Sequence, residues 1–261
     1  MSAKRILVAS IAMAVAVGCG DSTAPVARQV GLSFAGVRPA GVAPAGAALF
    51  SSNLVASLGD SLVIVDGTNT LIITKVEVVA RKIELHSEGV TTCDNDNSTD
   101  DCEEFEAGAR LVTLPLTPGA ATAVSIAVPA GTYTSIELNV HKIGTGSSDS
   151  AFRAANPAWP TSTSIRVTGF YNGTPFTYTT DVDFEAEESI QPPLVIAATS
   201  VANLTVRIDP SIWFRTGATG PLINPATAGV GGANKSLVDN NIQNSVKAFE
   251  DDDHNGDERD H

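Results

Sequence analysis

The stretch that decides the fold is 61-SLVIVDGTNTLIITKVEVVARKIELHS-87, which holds two runs rich in β-branched residues. The residues between the runs, Asp66-Gly67-Thr68-Asn69, are typical of a tight turn. In the second run both alternating sets contain apolar residues: Ile73, Val79, Ile83 and Leu85 lie in one, together with Lys75, Glu77 and Arg81, and Ile72, Val76, Val78 and Ala80 lie in the other. Apolar residues on both faces predict a strand that is central in its sheet or interrupted by a bulge.

Short alternating segments continue along the chain, at residues 110–116, 122–128, 129–143, 163–189, 192–198 and 202–209. Asn172-Gly173 falls inside one of them and predicts a hairpin, because this pair favours positive φ angles. About nine or ten short strands separated by turns are typical of a sandwich. The sequence therefore predicts an all-β fold, an antiparallel β-sandwich with one C-terminal helix. That helix is predicted over residues 235–249, where apolar residues recur at helical spacing: Leu237, Val238, Ile242, Val246 and Phe249.

The N-terminus has the pattern of an export signal. Lys4 and Arg5 precede an apolar run that is shorter than the ~20 residues needed to span a bilayer. Ala16-Val17-Gly18-Cys19 resembles the bacterial lipobox, with Ala in place of the usual Leu at its first position. This motif predicts cleavage before Cys19, lipidation of Cys19 and anchoring in a bilayer of the cell envelope. Gly20 after the cysteine favours the outer membrane, with the face left open; the alternative is an ordinary secretory signal cut elsewhere.

These features divide the chain into four parts. We expect a lipoprotein signal peptide at 1–18, a lipidated cysteine with a flexible tether at 19–45, a β-sandwich domain at 46–210, and a C-terminal extension at 211–261 that contains the helix and an acidic tail. The formal net charge is −13 and becomes −15 once Lys4 and Arg5 are removed with the signal. So acidic a chain argues against binding to nucleic acid, which requires clustered basic residues.

The segments TLIITKVEVVARKIEL, LVTLPL and VPAGTYTSIELNV resemble a family of bacterial cell-surface lipoproteins known only as a domain of unknown function. The likeness extends over about residues 60–210 and is most specific at Pro129–Tyr133. It implies a β-sandwich behind a lipobox. It implies no activity.

Two acidic segments are candidate calcium sites. In an exported protein Cys93 and Cys102 are expected to form a disulfide, and the loop between them contains Asp94, Asp96 and Asp100. Calcium would relieve the repulsion between these carboxylates, although the spacing does not match an EF-hand. The alternative is a stapled, solvated acidic loop.

The acidic tail matches the start of an EF-hand loop more closely, with Asp251, Asp253, Asn255 and Asp257 at positions one, three, five and seven and Gly256 at six. The sequence ends before the twelfth position, so a calcium ion would need ligands from another segment. The alternative is a frayed acidic terminus. Calcium is therefore a candidate ion without a certain site.

No sequence motif for a nucleophile, a phosphate loop or a zinc helix is present in the chain. His86 and His141 could be cross-strand neighbours, though a chance placement is the simpler interpretation. A period of two relates four acidic residues and indicates a solvated strand face or a cation site: Asp181, Asp183, Glu185 and Glu187.

We therefore expect a non-enzymatic envelope module that binds an unidentified protein or glycan. The alternative is a secreted carbohydrate hydrolase with paired carboxylates, for which Trp159 and Trp213 are candidate sugar platforms.

Overall fold

The computed structural model describes residues 28–36, 60–87, 103–105, 108–117, 120–128, 130–197, 202–217 and 220–250. The strands in these ranges are β1 (Arg28–Gly36), β2 (Leu62–Val65), β3 (Thr70–Ser87), β4 (Glu103–Phe105), β5 (Arg110–Thr113), β6 (Ala120–Val128), β7 (Gly131–Val140), β8 (Ile165–Tyr171), β9 (Thr174–Thr180), β10 (Phe184–Ile196), β11 (Ala202–Ile208) and β12 (Val246–Glu250). The α-helices there are α1 (Ser150–Ala155) and α2 (Lys235–Gln243). The predicted all-β class, an antiparallel sandwich with a C-terminal helix, is confirmed.

The strands form two sheets. The small sheet has the order β12-β11-β1-β6, and its β1–β11 pair is parallel. The large sheet follows the hydrogen-bonded path β10-β7-β3-β8-β9, with β2, β4 and β5 also paired to β3. Apolar side chains of both sheets meet in one core, in which Trp213, Tyr178 and Phe34 are among the largest fully buried residues.

β3 is both central and bulged, as its two apolar faces predict. Its pairing register shifts between Ile73 and Lys75 against β8, and again between Ala80 and Ile83 against β7. Each shift reverses which of the alternating side chains face the core. The core-facing residues of β3 are consequently Leu71, Ile73, Val76, Val78, Ala80, Ile83 and Leu85.

The two predicted turns are present. Asn172 and Gly173 join β8 to β9 with φ angles of 50° and 78°, which are the positive values that a two-residue hairpin requires. At the other turn, the Asp66 carboxylate accepts hydrogen bonds from the backbone N–H of Leu222 at 2.6 Å and of Asn69 at 2.8 Å. These N–H groups hold the pKa of Asp66 far below its ordinary value.

The prediction of a helix over 235–249 is wrong for its second half. α2 ends at Gln243, and Val246–Glu250 forms β12, which pairs with the open edge of β11. Ser245 lies at the change of direction, where its hydroxyl donates to the Ile242 carbonyl at 2.7 Å and accepts from Trp213 Nε1 at 2.8 Å. Val246 and Phe249 have the spacing of a helical stripe, but the hydrogen bonds that β12 makes with the edge of β11 are stronger than this preference. Both side chains are buried in β12.

The sheets extend past both ends of the range predicted for the sandwich, 46–210. β1 lies within the predicted tether, 19–45, and β12 lies within the predicted extension, 211–261.

α2 is held against the large sheet by polar contacts. Lys235 Nζ lies 2.8 Å from Asp181 and 2.5 Å from Asp239, and Asp239 accepts a hydrogen bond from Thr180. In the described part of the chain, neither helix is long and apolar enough to cross a bilayer.

The first bulge depends on Gly169 of β8. A β-carbon at this position would overlap the carbonyl oxygen of Ile72 in β3. We expect Gly169→Ala to lower the free energy of unfolding by about 1–3 kcal/mol, which is the typical cost of adding atoms to a well-packed interior. Urea denaturation would measure this change. Gly108→Ala is the matched control, since nothing lies within 4 Å of a β-carbon there. Equal stability of the two variants would contradict the close approach of β8 to β3.

Candidate functional site

A row of glutamates crosses the outer face of the large sheet. Glu84 of β3 is directly paired with Glu137 of β7, and Glu137 is paired with Glu187 of β10. On the other edge of β3, Glu84 is paired in register with Glu104 of β4. Directly opposite residues share one face of a sheet, so the three strands β3, β7 and β10 hold three carboxylates side by side. We call Glu84, Glu137 and Glu187 the glutamate row.

His86 lies beside this row, two residues beyond Glu84 on the same face of β3. Its Nε2 is 3.7 Å from Glu84 Oε2, and its Nδ1 is 3.6 Å from Glu187 Oε1. Both distances exceed those of hydrogen bonds. His86 Nε2 is buried and has no hydrogen-bond partner among the described residues.

The members of the row differ in exposure. The Glu84 side chain is 3% exposed and forms an ion pair with Lys82, whereas the Glu187 side chain is 63% exposed. Glu187 accepts a hydrogen bond from the Ser135 hydroxyl at 3.2 Å. The row thus runs from a buried end on β3 to a solvated end on β10.

Burial raises the pKa of Glu137 above its ordinary value, and the negative charges of Glu84 and Glu185 raise it further. Lys82 and His86 act in the opposite direction without cancelling these effects. Like charges on adjacent strands repel each other. Glu137 is therefore repelled by Glu84 and Glu185, and a nearby cation would relieve this repulsion.

The chemistry available here is cation binding. Glu84, His86 and Glu137 each offer one ligand atom, and these atoms lie within 4.8 Å of one another. Sequence reasoning did not single out Glu84 or Glu137, because their proximity depends on the register of β3 against β7. The period-two placement of Glu84 and His86 in β3 is the one local signal that could have indicated this site.

His141 belongs to a different cluster, so the cross-strand pair of histidines is not formed. His141 Nε2 is hydrogen bonded to Asp149 Oδ1 at 3.0 Å, and the other oxygen of Asp149 accepts from Gly144 N at 2.6 Å. Asp183 lies 3.8 Å from His141 Nδ1. These contacts fix the loop after β7 and leave His86 as the histidine of the glutamate row.

The period-two acidic residues divide between two environments. Glu185 and Glu187 are exposed on the outer face of β10, as a solvated strand face predicts. Asp181 and Asp183 precede the strand instead. The hydrogen bond from Lys235 holds the pKa of Asp181 below its ordinary value.

Both tryptophans are buried. Trp213 is fully enclosed in the main core, as the segment SIWF indicates. Trp159 is 8% exposed and packs against Phe152 and Val79 in a small apolar cluster, with the Arg166 guanidinium 4.7 Å above its ring. Neither side chain offers the open ring face that a sugar platform requires.

The remaining candidate residues lie outside the described ranges. These are the lipidation site Cys19, the cysteines Cys93 and Cys102, the loop residues Asp94, Asp96 and Asp100, and the tail residues Asp251, Asp253, Asn255 and Asp257. Their roles stay predictions.

No protein-family model matches this chain, and no curated protein or solved structure shows significant similarity to it.

The raised pKa of Glu137 predicts a specific pH dependence. The folded protein holds this proton to a higher pH than the unfolded chain does, so stability is lost as pH rises from the unfolded to the folded pKa. We expect Glu137→Gln to raise the melting temperature at neutral pH in buffer free of divalent cations. The difference should vanish at about pH 3.5, where the carboxyl is protonated in both states. A variant less stable than wild type at neutral pH would contradict the repulsion.

Proposed function

We propose that this protein is a lipid-anchored, extracytoplasmic β-sandwich module of the bacterial cell envelope that acts by binding a partner and not by catalysis. The observation that carries the proposal is the glutamate row, which places three carboxylates side by side on one sheet face and exposes Glu187 at one end. Its solvated end, Glu187 with Glu185 beside it on β10, is accessible to a cationic group. The lipobox-like sequence Ala16–Cys19 supports attachment to the outer membrane through Cys19.

The expected partner is a protein or glycan that presents positive charge. The net charge, −13 for the full chain and −15 without Lys4 and Arg5 of the signal, favours encounter with basic partners through long-range attraction. Surface charges screened by salt contribute little alone, so recognition would depend on several carboxylates at fixed spacing. Strands provide such spacing with less positional freedom than loops.

Calcium at the acidic tail is a further part of the proposal. Asp251 and Asp253 follow β12 directly, so ligands placed there would be attached to the edge of the small sheet. A calcium ion at this place would act structurally.

A carbohydrate hydrolase with paired carboxylates is the second candidate. The neighbouring carboxyls of Glu84 and Glu137, one of them with a raised pKa, favour it. Burial of Trp159 and Trp213 counts against it, because neither ring can stack on a sugar. Hydrolysis of aryl glycosides by the protein, abolished by Glu137→Gln, would favour this candidate over the binding module.

Lipid anchoring makes a direct prediction. We expect the full chain, expressed in a bacterium with a lipoprotein pathway, to incorporate labelled palmitate and to enter the membrane fraction. Cys19→Ser should lose the label and accumulate as the uncut precursor, since cleavage requires the lipidated cysteine. Ser10→Ala in the signal serves as the control and should behave as wild type. Label retained in Cys19→Ser would disprove lipidation at this residue.

The proposed binding face, which consists of Glu185 and Glu187 on the outer side of β10, is tested with a fluorescent lysine-rich peptide as the probe. The double variant Glu185→Gln/Glu187→Gln should bind it about two- to thirtyfold more weakly, because each of two surface charge pairs contributes about 0.2–1 kcal/mol. The control is Glu188→Gln, which lies on the same strand and removes a charge that faces Lys247 at 2.9 Å instead of the outer face. An equal loss of binding free energy per charge removed would show that net charge alone attracts the peptide, and would contradict a defined face.

A further inference from the structure

Three side chains at the buried end of the glutamate row converge from two strands. Glu84 and His86 are two residues apart on β3, and Glu137 is the cross-strand neighbour of Glu84. One ligand atom from each lies within 4.8 Å of the others. We propose that Glu84, His86 and Glu137 bind a divalent transition-metal ion of the zinc type on the outer face of the large sheet.

The His86 imidazole gives evidence for a bound ligand that a group of carboxylates alone would not give. His86 Nε2 is buried without a hydrogen-bond partner among the described residues, and the side chain as a whole is 14% exposed. Buried polar nitrogen atoms are nearly always paired, so an unpaired one calls for an explanation. A metal ion on Nε2 would satisfy this nitrogen.

The spacing of the atoms fits a metal better than a hydrogen bond. Nε2 lies 3.7 Å from Glu84 Oε2, which is beyond hydrogen-bond distance although within the distance of an ion pair. Two ligands that each lie about 2.1 Å from a tetrahedral zinc ion are roughly 3.4 Å apart. Small side-chain rotations would close the difference.

The neighbours of the three residues are arranged as the outer groups of a metal site would be. Lys82 contacts Glu84 Oε1, and this leaves Oε2 on the side of His86. Glu187 Oε1 lies 3.6 Å from the other ring nitrogen of His86. Histidine ligands usually donate their second ring N–H to a carboxylate, and rotation of the exposed Glu187 side chain would bring its oxygen within hydrogen-bond distance of Nδ1.

The ligand set selects the class of metal. One imidazole nitrogen with two carboxylate oxygens suits zinc and neighbouring transition metals. Calcium and magnesium take oxygen ligands almost exclusively and in larger number. This site is therefore distinct in chemistry from the calcium site proposed for Asp251 and Asp253.

The test is a calorimetric titration. The purified full chain is first stripped of bound metal with a chelator and is then titrated with ZnCl2. His86→Gln should remove one bound equivalent or weaken it by at least about tenfold. The matched control is His141→Gln, which removes the histidine that is hydrogen bonded to Asp149 and should leave the titration unchanged. ZnCl2 should also raise the melting temperature of wild type more than that of His86→Gln.

Glu137→Gln provides a second variant in case His86→Gln does not fold, and it too should lose the zinc equivalent. CaCl2 replaces ZnCl2 in a parallel titration, in which wild type and His86→Gln should behave alike. Identical zinc titrations of wild type, His86→Gln and Glu137→Gln would overturn the proposal, as would an equal loss in His141→Gln. Binding of the lysine-rich peptide is measured separately, so failure of the metal site does not decide the proposed function.

Discussion

The structure depends on one constraint: an 18-residue strand must keep its apolar side chains in the core while pairing along both edges. β3 pairs with β2, β4, β5, β7 and β8. A regular strand of this sequence would place Ile73, Lys75 and Glu77 on one face. The register shifts after Ile73 and after Ala80 avoid this. They hold Ile83 and Leu85 in the core and turn Glu84 and His86 to the opposite face of the sheet. Glu84 is nevertheless buried there, and it is compensated by its ion pair with Lys82.

Much of this fold can be predicted from local patterns. The alternating segments, the Asn172-Gly173 turn and the apolar faces of β3 each follow from the chemistry of neighbouring residues. The end of α2 does not, because Val246 and Phe249 fit a helical stripe and the sheet alike. Only the open edge of β11 decides between them. The glutamate row was likewise beyond sequence reasoning, since pairing across three strands places Glu84 beside Glu137.

Three described carboxylates, those of Asp66, Glu77 and Glu137, lie in different electrostatic surroundings. Asp66 is surrounded by backbone N–H groups, which fix the turn before β3 to the segment at Leu222. Glu77 is buried but lies between Lys75 at 2.6 Å and Arg166 at 2.7 Å, and the hydrogen bond from Arg166 contributes most to lowering its pKa against the opposing effect of burial. Glu137 has no comparable compensation. Among these three described carboxylates, Glu137 is therefore the one whose neighbours disfavour its charged form.

The small sheet has a consequence for the order in which the protein can assemble. Its strands come from four distant stretches, and the parallel pair sets Val30 beside Ala202. Closing so long a loop costs entropy that only later contacts repay. During synthesis, Leu32 and Phe34 must remain without their β11 neighbours until the chain has been made as far as Ile208. A chain with this topology leaves the apolar residues of its first strand unpaired with β11 throughout most of its synthesis, and it needs protection from aggregation until then.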